Sequence, residues 1–168
     1  MIKALIFDFD GVIVDSDTFH YNSWKHILKE YFKVNFLFSD YLQIKGVGRQ
    51  MALNKLLELY SINIPNNKLK NEILFKKNEI FLKLINDITK DSLIPGVEHF
   101  ILKYKPFYKI GLASASENAR LIINKLEIND LFDVIIDANE TKNKKPDPEV
   151  FFSCLTKLNI NPKNCIVF

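Results

Sequence analysis

The chain has 168 residues, 48% of them apolar, with mixed charges and a net charge of +3. That is long enough for one α/β core with an inserted subdomain and too short for two large independent domains. No stretch approaches the roughly 20 apolar residues of a membrane span, and Met1-Ile2-Lys3 followed at once by a strand-like run lacks the sections of a secretory signal. A cytoplasmic chain with no membrane partner is expected. The basic residues are almost all lysines spread along the chain, Arg49 and Arg120 being the two arginines, which points to a solvated surface and no nucleic-acid partner.

Ala4-Leu5-Ile6-Phe7 predicts a buried strand that stops at Asp8-Phe9-Asp10-Gly11-Val12. Period-two geometry puts Asp8 and Asp10 on one side, and Gly11 allows a sharp turn. Paired carboxylates at the end of a buried strand suit divalent metal binding, covalent catalysis or acid/base chemistry. The same pair also suits a solvated strand-to-loop turn.

From Asp17 to about Lys90 the pattern reads as helix. Trp24, Ile27, Leu28 and Tyr31 form one apolar face, Met51 to Tyr60 a second, and Leu69 to Ile88 a long third. Ile44-Lys45-Gly46-Val47-Gly48-Arg49 forms a glycine-bearing loop, and Asn63-Ile64-Pro65-Asn66-Asn67 a further break.

After Ile94-Pro95-Gly96 helix and strand alternate: helix Val97 to Tyr104, strand Tyr108 to Ala113, helix Glu117 to Leu126, strand Phe132 to Asp137. A helix from Lys145-Pro146-Asp147-Pro148 to about Leu158 and a strand from Cys165 follow. This order implies an α/β fold with a doubly wound parallel sheet, Rossmann-like, and a helical cap inserted after the first strand. The core is expected over residues 1–16 and 91–168, the cap over 17–90.

Ser114-Ala115-Ser116-Glu117-Asn118 places hydroxyls and main-chain N–H groups where a helix begins, which suits phosphate. It also suits a capping box between Ser114 and Glu117. Lys145, restricted by Pro146, can present an ammonium at the same edge or be one solvated lysine among Lys142, Lys144 and Lys145. Cys154 and Cys165 read as buried free thiols, and His20, His26 and His99 lack metal-ligand spacing.

Asp8-Phe9-Asp10-Gly11-Val12, Ser114 after an apolar strand, and Lys145-Pro146 together resemble the three opening motifs of the haloacid dehalogenase superfamily. The position of the insert, Lys45-Gly46-Val47-Gly48-Arg49 within it, and His20 to Trp24 upstream are similar to its β-phosphoglucomutase-like branch. That resemblance implies a monomeric Mg²⁺ enzyme interconverting β-glucose 1-phosphate and glucose 6-phosphate, or a small-molecule phosphatase built on the same core; a non-catalytic remnant that at most binds sugar phosphates is the remaining alternative. Asp8 would be the nucleophile and Asp10 the general acid and base. Asp8 and Asp10 would hold Mg²⁺, while Ser114, Ala115 and Lys145 would bind the transferring phosphoryl group.

For the substrate, a small-molecule sugar phosphate, the resemblance implies Arg49, Ser116 and Asn118 at the second phosphate and Lys45, Gly46, Val47 and Lys76 at the sugar. Trp24 would line the pocket and His20 would couple cap closure to Asp10. Read without the resemblance, Trp24 and His20 suit ordinary packing and Lys76 a solvated helix face. Gly48 and Ala52 stand where hydroxyl side chains are common in that branch. An acidic pair, then a strand and a helix, follow the corresponding last strand in the superfamily. The C-terminal strand and helix are therefore expected to be missing here, with a weakened Mg²⁺ site, poor turnover and an exposed apolar edge at Cys165 to Phe168.

Overall fold

The computed structural model describes residues 1–168. Four parallel strands form the sheet: β1 (Ala4–Phe7), β2 (Lys109–Ala113), β3 (Val134–Ile136) and β4 (Cys165–Val167), in the order β3-β2-β1-β4. Ile6 pairs with Gly111 on one side and Val167 on the other. β1 is therefore central, which explains why all four of its side chains are buried and why its sequence is continuously apolar.

The chain divides into two compact units, Met1–Asp15 with Ile88–Phe168, and Ser16–Asp87. In the first, α5 (Val97–Tyr104), α6 (Ala119–Leu126) and α7 (Glu149–Leu158) alternate with the strands. Ala4, Ile6, Ala113, Ile136, Val150, Cys154 and Leu155 make one core cluster. Gly111 permits this packing, since a Cβ there would lie 2.5 Å from Cys154 Sγ and 2.8 Å from Ile6 Cδ1.

The second unit holds α1 (Asp17–Phe32), α2 (Phe38–Leu42), α3 (Arg49–Leu59) and α4 (Asn67–Leu84). Its core joins Trp24, Ile27 and Leu28 of α1 to Phe36, Tyr41, Leu53, Leu56 and Ile73. α1 ends where Lys33 turns left-handed at φ 57°, and the Asn66 side chain caps α4 by accepting from the Leu69 N–H at 3.0 Å. No helix is long and apolar enough to cross a membrane.

Several local expectations change. The helix α2 lies in a segment whose apolar pattern is too short to show a helical period; it is five residues long. α4 stops at Leu84 and a 3₁₀ turn carries Ile85–Asp87, so the third apolar face does not run as one helix to Ile88. α6 begins at Ala119, with Asn118 and not Ser114 as its N-cap residue. Instead Ser114 Oγ accepts from the Ser116 N–H at 3.0 Å and Ser116 Oγ from the Asn118 N–H at 3.2 Å, local turns that delay the helix. Cys165 is only half-buried, because β4 is an edge strand, whereas Cys154 is buried. Ile166 and Val167 on that edge are exposed.

Candidate active site

β1 ends at Phe7, but the ladder continues one residue further through the Asp8 N–H donating to the Phe168 carbonyl at 3.1 Å. The chain then turns around Phe9, which is fully buried and whose carbonyl accepts from the N–H groups of Val12, Ile13 and Val14. Gly11 permits this turn with φ 82°. Burying Phe9 leaves the flanking acids Asp8 and Asp10 partly exposed at the carboxyl end of the sheet, where α/β folds bind ligands. Asp10 thus belongs to a turn bridged to Val14, not to a strand alternating with Asp8.

Lys145, on the loop before α7, comes to this end. Its Nζ is 2.8 Å from Asp8 Oδ1 and donates to the Ala113 carbonyl at 3.2 Å. Asp8 Oδ1 also accepts from the Phe9 N–H at 2.7 Å. Both contacts fall on one carboxylate oxygen, Oδ1. The Lys145 side chain is 11% exposed and that of Asp8 is 28% exposed, so the ion pair is partly withdrawn from water.

Ser114 follows β2 directly and is fully buried, its N–H donating to the Ile136 carbonyl at 2.9 Å. Ala115 and Ser116 come next, partly exposed, and Asn118 is the residue before α6. Strand pairing therefore collects Asp8, Ser114 and Lys145 at one edge: a carboxylate, a hydroxyl and an ammonium from three different parts of the chain.

Within the cap the sequence-predicted residues separate into groups. Lys45 is held by Asp17, Nζ to Oδ2 2.5 Å, and Tyr41 donates to Asp17 Oδ1 at 2.8 Å. Gly46 turns with φ 78° and Val47 packs on the cap core. Arg49 opens α3 and its Nη1 donates to the Leu74 carbonyl at 3.4 Å. Trp24 is 2% exposed, a member of the cap core.

Lys76 lies on the outer side of α4, pairing with Glu79 at 3.3 Å. Its neighbour Lys77 is the buried one. Lys77 is 3% exposed, with Nζ 3.0 Å from His20 Nδ1 and 4.6 Å from the centre of the Phe81 ring. His20 itself stacks on Phe81 at 4.3 Å. Sequence reading missed Lys77. The available signal was its spacing of four residues from both Ile73 and Phe81, the two buried apolar positions of the same helix face.

Residues 5–168 match the model of the haloacid dehalogenase-like hydrolases. The chain belongs to that family. Among haloacid dehalogenase-like proteins, the β-phosphoglucomutase of Bacillus subtilis is 35% identical over 166 residues, 98% of this chain and 73% of its own length. A phosphorylated carbohydrates phosphatase of Thermotoga maritima is 27% identical over 171 residues, 99% of this chain and 76% of its own. The crystal structure of a β-phosphoglucomutase from Clostridium difficile has a TM-score of 0.92 at 37% identity, over 99% of this chain and 75% of that one. The Rossmann-like core and the helical insertion after β1 are shared with it.

Haloacid dehalogenase-like enzymes typically use Mg²⁺. No group of three or more His, Cys, Asp or Glu side chains is gathered as a metal cage in the chain. Mg²⁺ does not need one: it keeps several waters and is held by one or two carboxylates with substrate phosphate. The Asp8 carboxylate, whose two hydrogen-bonded contacts both fall on Oδ1, and the Asp10 main-chain carbonyl are hard oxygen donors of the kind such a shell uses.

Proposed function

We propose that this chain is a phosphotransferase acting on a small phosphorylated sugar, with the β-phosphoglucomutase reaction between β-glucose 1-phosphate and glucose 6-phosphate as its chemistry. The observation that carries the proposal is the Asp8–Lys145 pair at the carboxyl end of β1, beside Ser114. The β-phosphoglucomutases among its relatives support the sugar.

In this reading the Asp8 carboxylate attacks phosphorus, the bond from phosphorus to the sugar oxygen breaks, and the phosphoryl group rests on Asp8 as an acyl phosphate. Asp10 gives a proton to the departing sugar oxygen and takes one from the hydroxyl that attacks in the return step. In the mutase cycle the phosphoryl group that Asp8 takes is the C1 phosphoryl of a glucose bisphosphate, which leaves as glucose 6-phosphate; the acyl phosphate then passes to the 6-hydroxyl of the next β-glucose 1-phosphate and forms the bisphosphate again. Lys145, Ser114 and the Ala115 N–H offset charge on the phosphoryl oxygens as it spreads over them. Mg²⁺, held by the Asp8 carboxylate and the Asp10 carbonyl, supplies further neutralisation of phosphate charge when bound.

Arg49 has the forked guanidinium suited to a second phosphate, and Ser116 and Asn118 offer polar groups for the same purpose. Lys45, Gly46 and Val47 are assigned to the sugar. On the structure's evidence of burial, Lys77 replaces Lys76 as the α4 lysine worth testing.

A phosphatase is the second reading, favoured by the Thermotoga maritima relative, which matches over the same length. A coupled assay with β-glucose 1-phosphate, Mg²⁺ and a glucose bisphosphate activator separates them. Glucose 6-phosphate is the product expected; free phosphate in its place overturns the mutase. Retention of activity, or of the acyl-phosphate mass, in Asp8→Asn overturns the covalent step for both.

A further inference from the structure

The loop between β3 and α7 carries Lys145, and its main chain is held by a side chain that the phosphotransfer chemistry does not use. The two oxygens of Glu149, at the start of α7, accept the N–H groups of Lys142 and Asn143, each at 2.8 Å. The Glu149 N–H donates back to Asp147 Oδ1 at 2.9 Å, and the Asp147 N–H donates to the Lys144 carbonyl at 3.0 Å. Lys144 Nζ in turn donates to the carbonyls of Ala138 and of Thr141, the latter at 2.8 Å. Lys145 is enclosed in sequence by these ties. Its own ammonium ends 4.6 Å from the centre of the Phe151 ring, two residues beyond Glu149 on the same helix.

A carboxylate that engages successive main-chain N–H groups with both oxygens fixes the peptide plane between them, and charge-assisted bonds of this kind are the strong class. The lysine chain is long and flexible and loses rotamer entropy when its ammonium is held in one place. Delivering its ammonium to Asp8 therefore depends on where its Cα is held and on what its stem packs against. Glu149 addresses the first and the face of Phe151 the second.

We propose that Glu149 is a positioning residue for the phosphoryl-transfer site, clamping the loop main chain so that Lys145 reaches Asp8, with Phe151 as the wall on which the ammonium rests. Its consequence for phosphate rests on the proposed function; the placement of Lys145 does not. The lowered pKa of the Glu149 carboxyl, caused first by the Asn143 N–H and then by that of Lys142, agrees with a bound anion at working pH.

Glu149→Ala and Glu149→Gln in the whole chain test it. The first removes both acceptors; the second keeps one acceptor oxygen and places an amide donor against the other N–H. Acylation of each lysine, followed by peptide mass spectrometry, reads the exposure of the Lys145 amine directly. Labelling of Lys145 should rise about fivefold in Glu149→Ala and less in Glu149→Gln, with Lys109 and Lys157 unchanged and orthophosphate affinity falling in the same order. Unchanged Lys145 labelling in a folded variant overturns the proposal. A rise at every core lysine signals an unfolded alanine variant, and the glutamine variant then decides by the same criterion. An unaltered parent chain that binds no orthophosphate, with Lys145 still released by the substitution, overturns the phosphotransfer reading and leaves the clamp standing.

Discussion

The Lys77 ammonium lies 3.0 Å from Nδ1 of His20, in a side chain only 3% exposed. When Lys77 is charged its ammonium only donates, which makes Nδ1 the acceptor and places the proton of a neutral ring on Nε2. The ring of Trp24 lies 5.4 Å from the same ammonium and that of Phe81 4.6 Å, which gives the charge two aromatic faces. Lys76, one residue away, has none of this.

The two lysines should therefore respond differently to the same change. Lys77→Met removes a buried charged donor and is expected to cost about 1–3 kcal/mol. Lys76→Met alters a half-exposed pair with Glu79 and should stay within about 0.5 kcal/mol. Urea unfolding midpoints of the two variants check the contrast, and equal losses would contradict the burial of Lys77.

Gly111 is a packing glycine. A Cβ at that position meets Cys154 Sγ at 2.5 Å, closer than real contacts allow. Gly111→Ala should destabilise the core by about 1–3 kcal/mol through overpacking. Adding Cys154→Ala removes the sulfur it meets, so the double variant should lose less than the sum of the single losses, as measured in a double-mutant cycle.

The acid limb of stability has a named contributor in Glu140. Burial raises its pKa, but the hydrogen bonds from Lys157 and Arg120 outweigh this and hold it below the ordinary 4.5. Each partner sits 2.5 Å from a different Glu140 oxygen. A depressed folded pKa means that the unfolded chain binds the proton first. The stabilisation is therefore complete above pH 4.5 and is lost as pH falls through the folded value. The stability gap between the parent and Glu140→Gln should be widest near neutral pH and close in acid, read from denaturant midpoints across that range.

On the alkaline side burial pushes the Cys154 thiol up to about 12. This stabilisation is present below the ordinary 9.0 and is lost as pH rises through the folded value. Cys165 is raised too, again by burial, yet it is half-exposed at the sheet edge. Alkylation of the native chain should modify Cys165 first and Cys154 only on unfolding. Equal rates would show that α7 does not seal the core.

Much of the core could be read along the chain because its signals are local. Val97–Tyr104 is a helix over the same residues that its apolar spacing predicts, and β1 is bounded by the same change from apolar to acidic residues. Asp8 and Ser114 were legible as polar groups closing buried strands, since charge and hydroxyls there stand out in composition, whereas Lys145 read equally well as one solvated lysine of its cluster. Lys77 was not: two adjacent lysines look alike until a helix phase is assigned, and an error of one position turns a side chain by about 100°. The start of α6 was misplaced for a related reason. Serine and asparagine satisfy caps and local turns with the same atoms, so the sequence leaves the choice open.

By itself the sequence determined which segments alternate as strand and helix, that a helical insertion follows the first strand, and which residue types end the strands. Only the tertiary structure decided that Lys145 reaches Asp8, that Lys77 and not Lys76 is withdrawn from water, and that both Glu149 carboxylate oxygens accept main-chain N–H groups of the loop that carries Lys145. Periodicity and turn chemistry act over a few residues and are written in order along the chain. Ion pairs and burial depend on which strands become neighbours, a matter of long-range packing that no local pattern encodes.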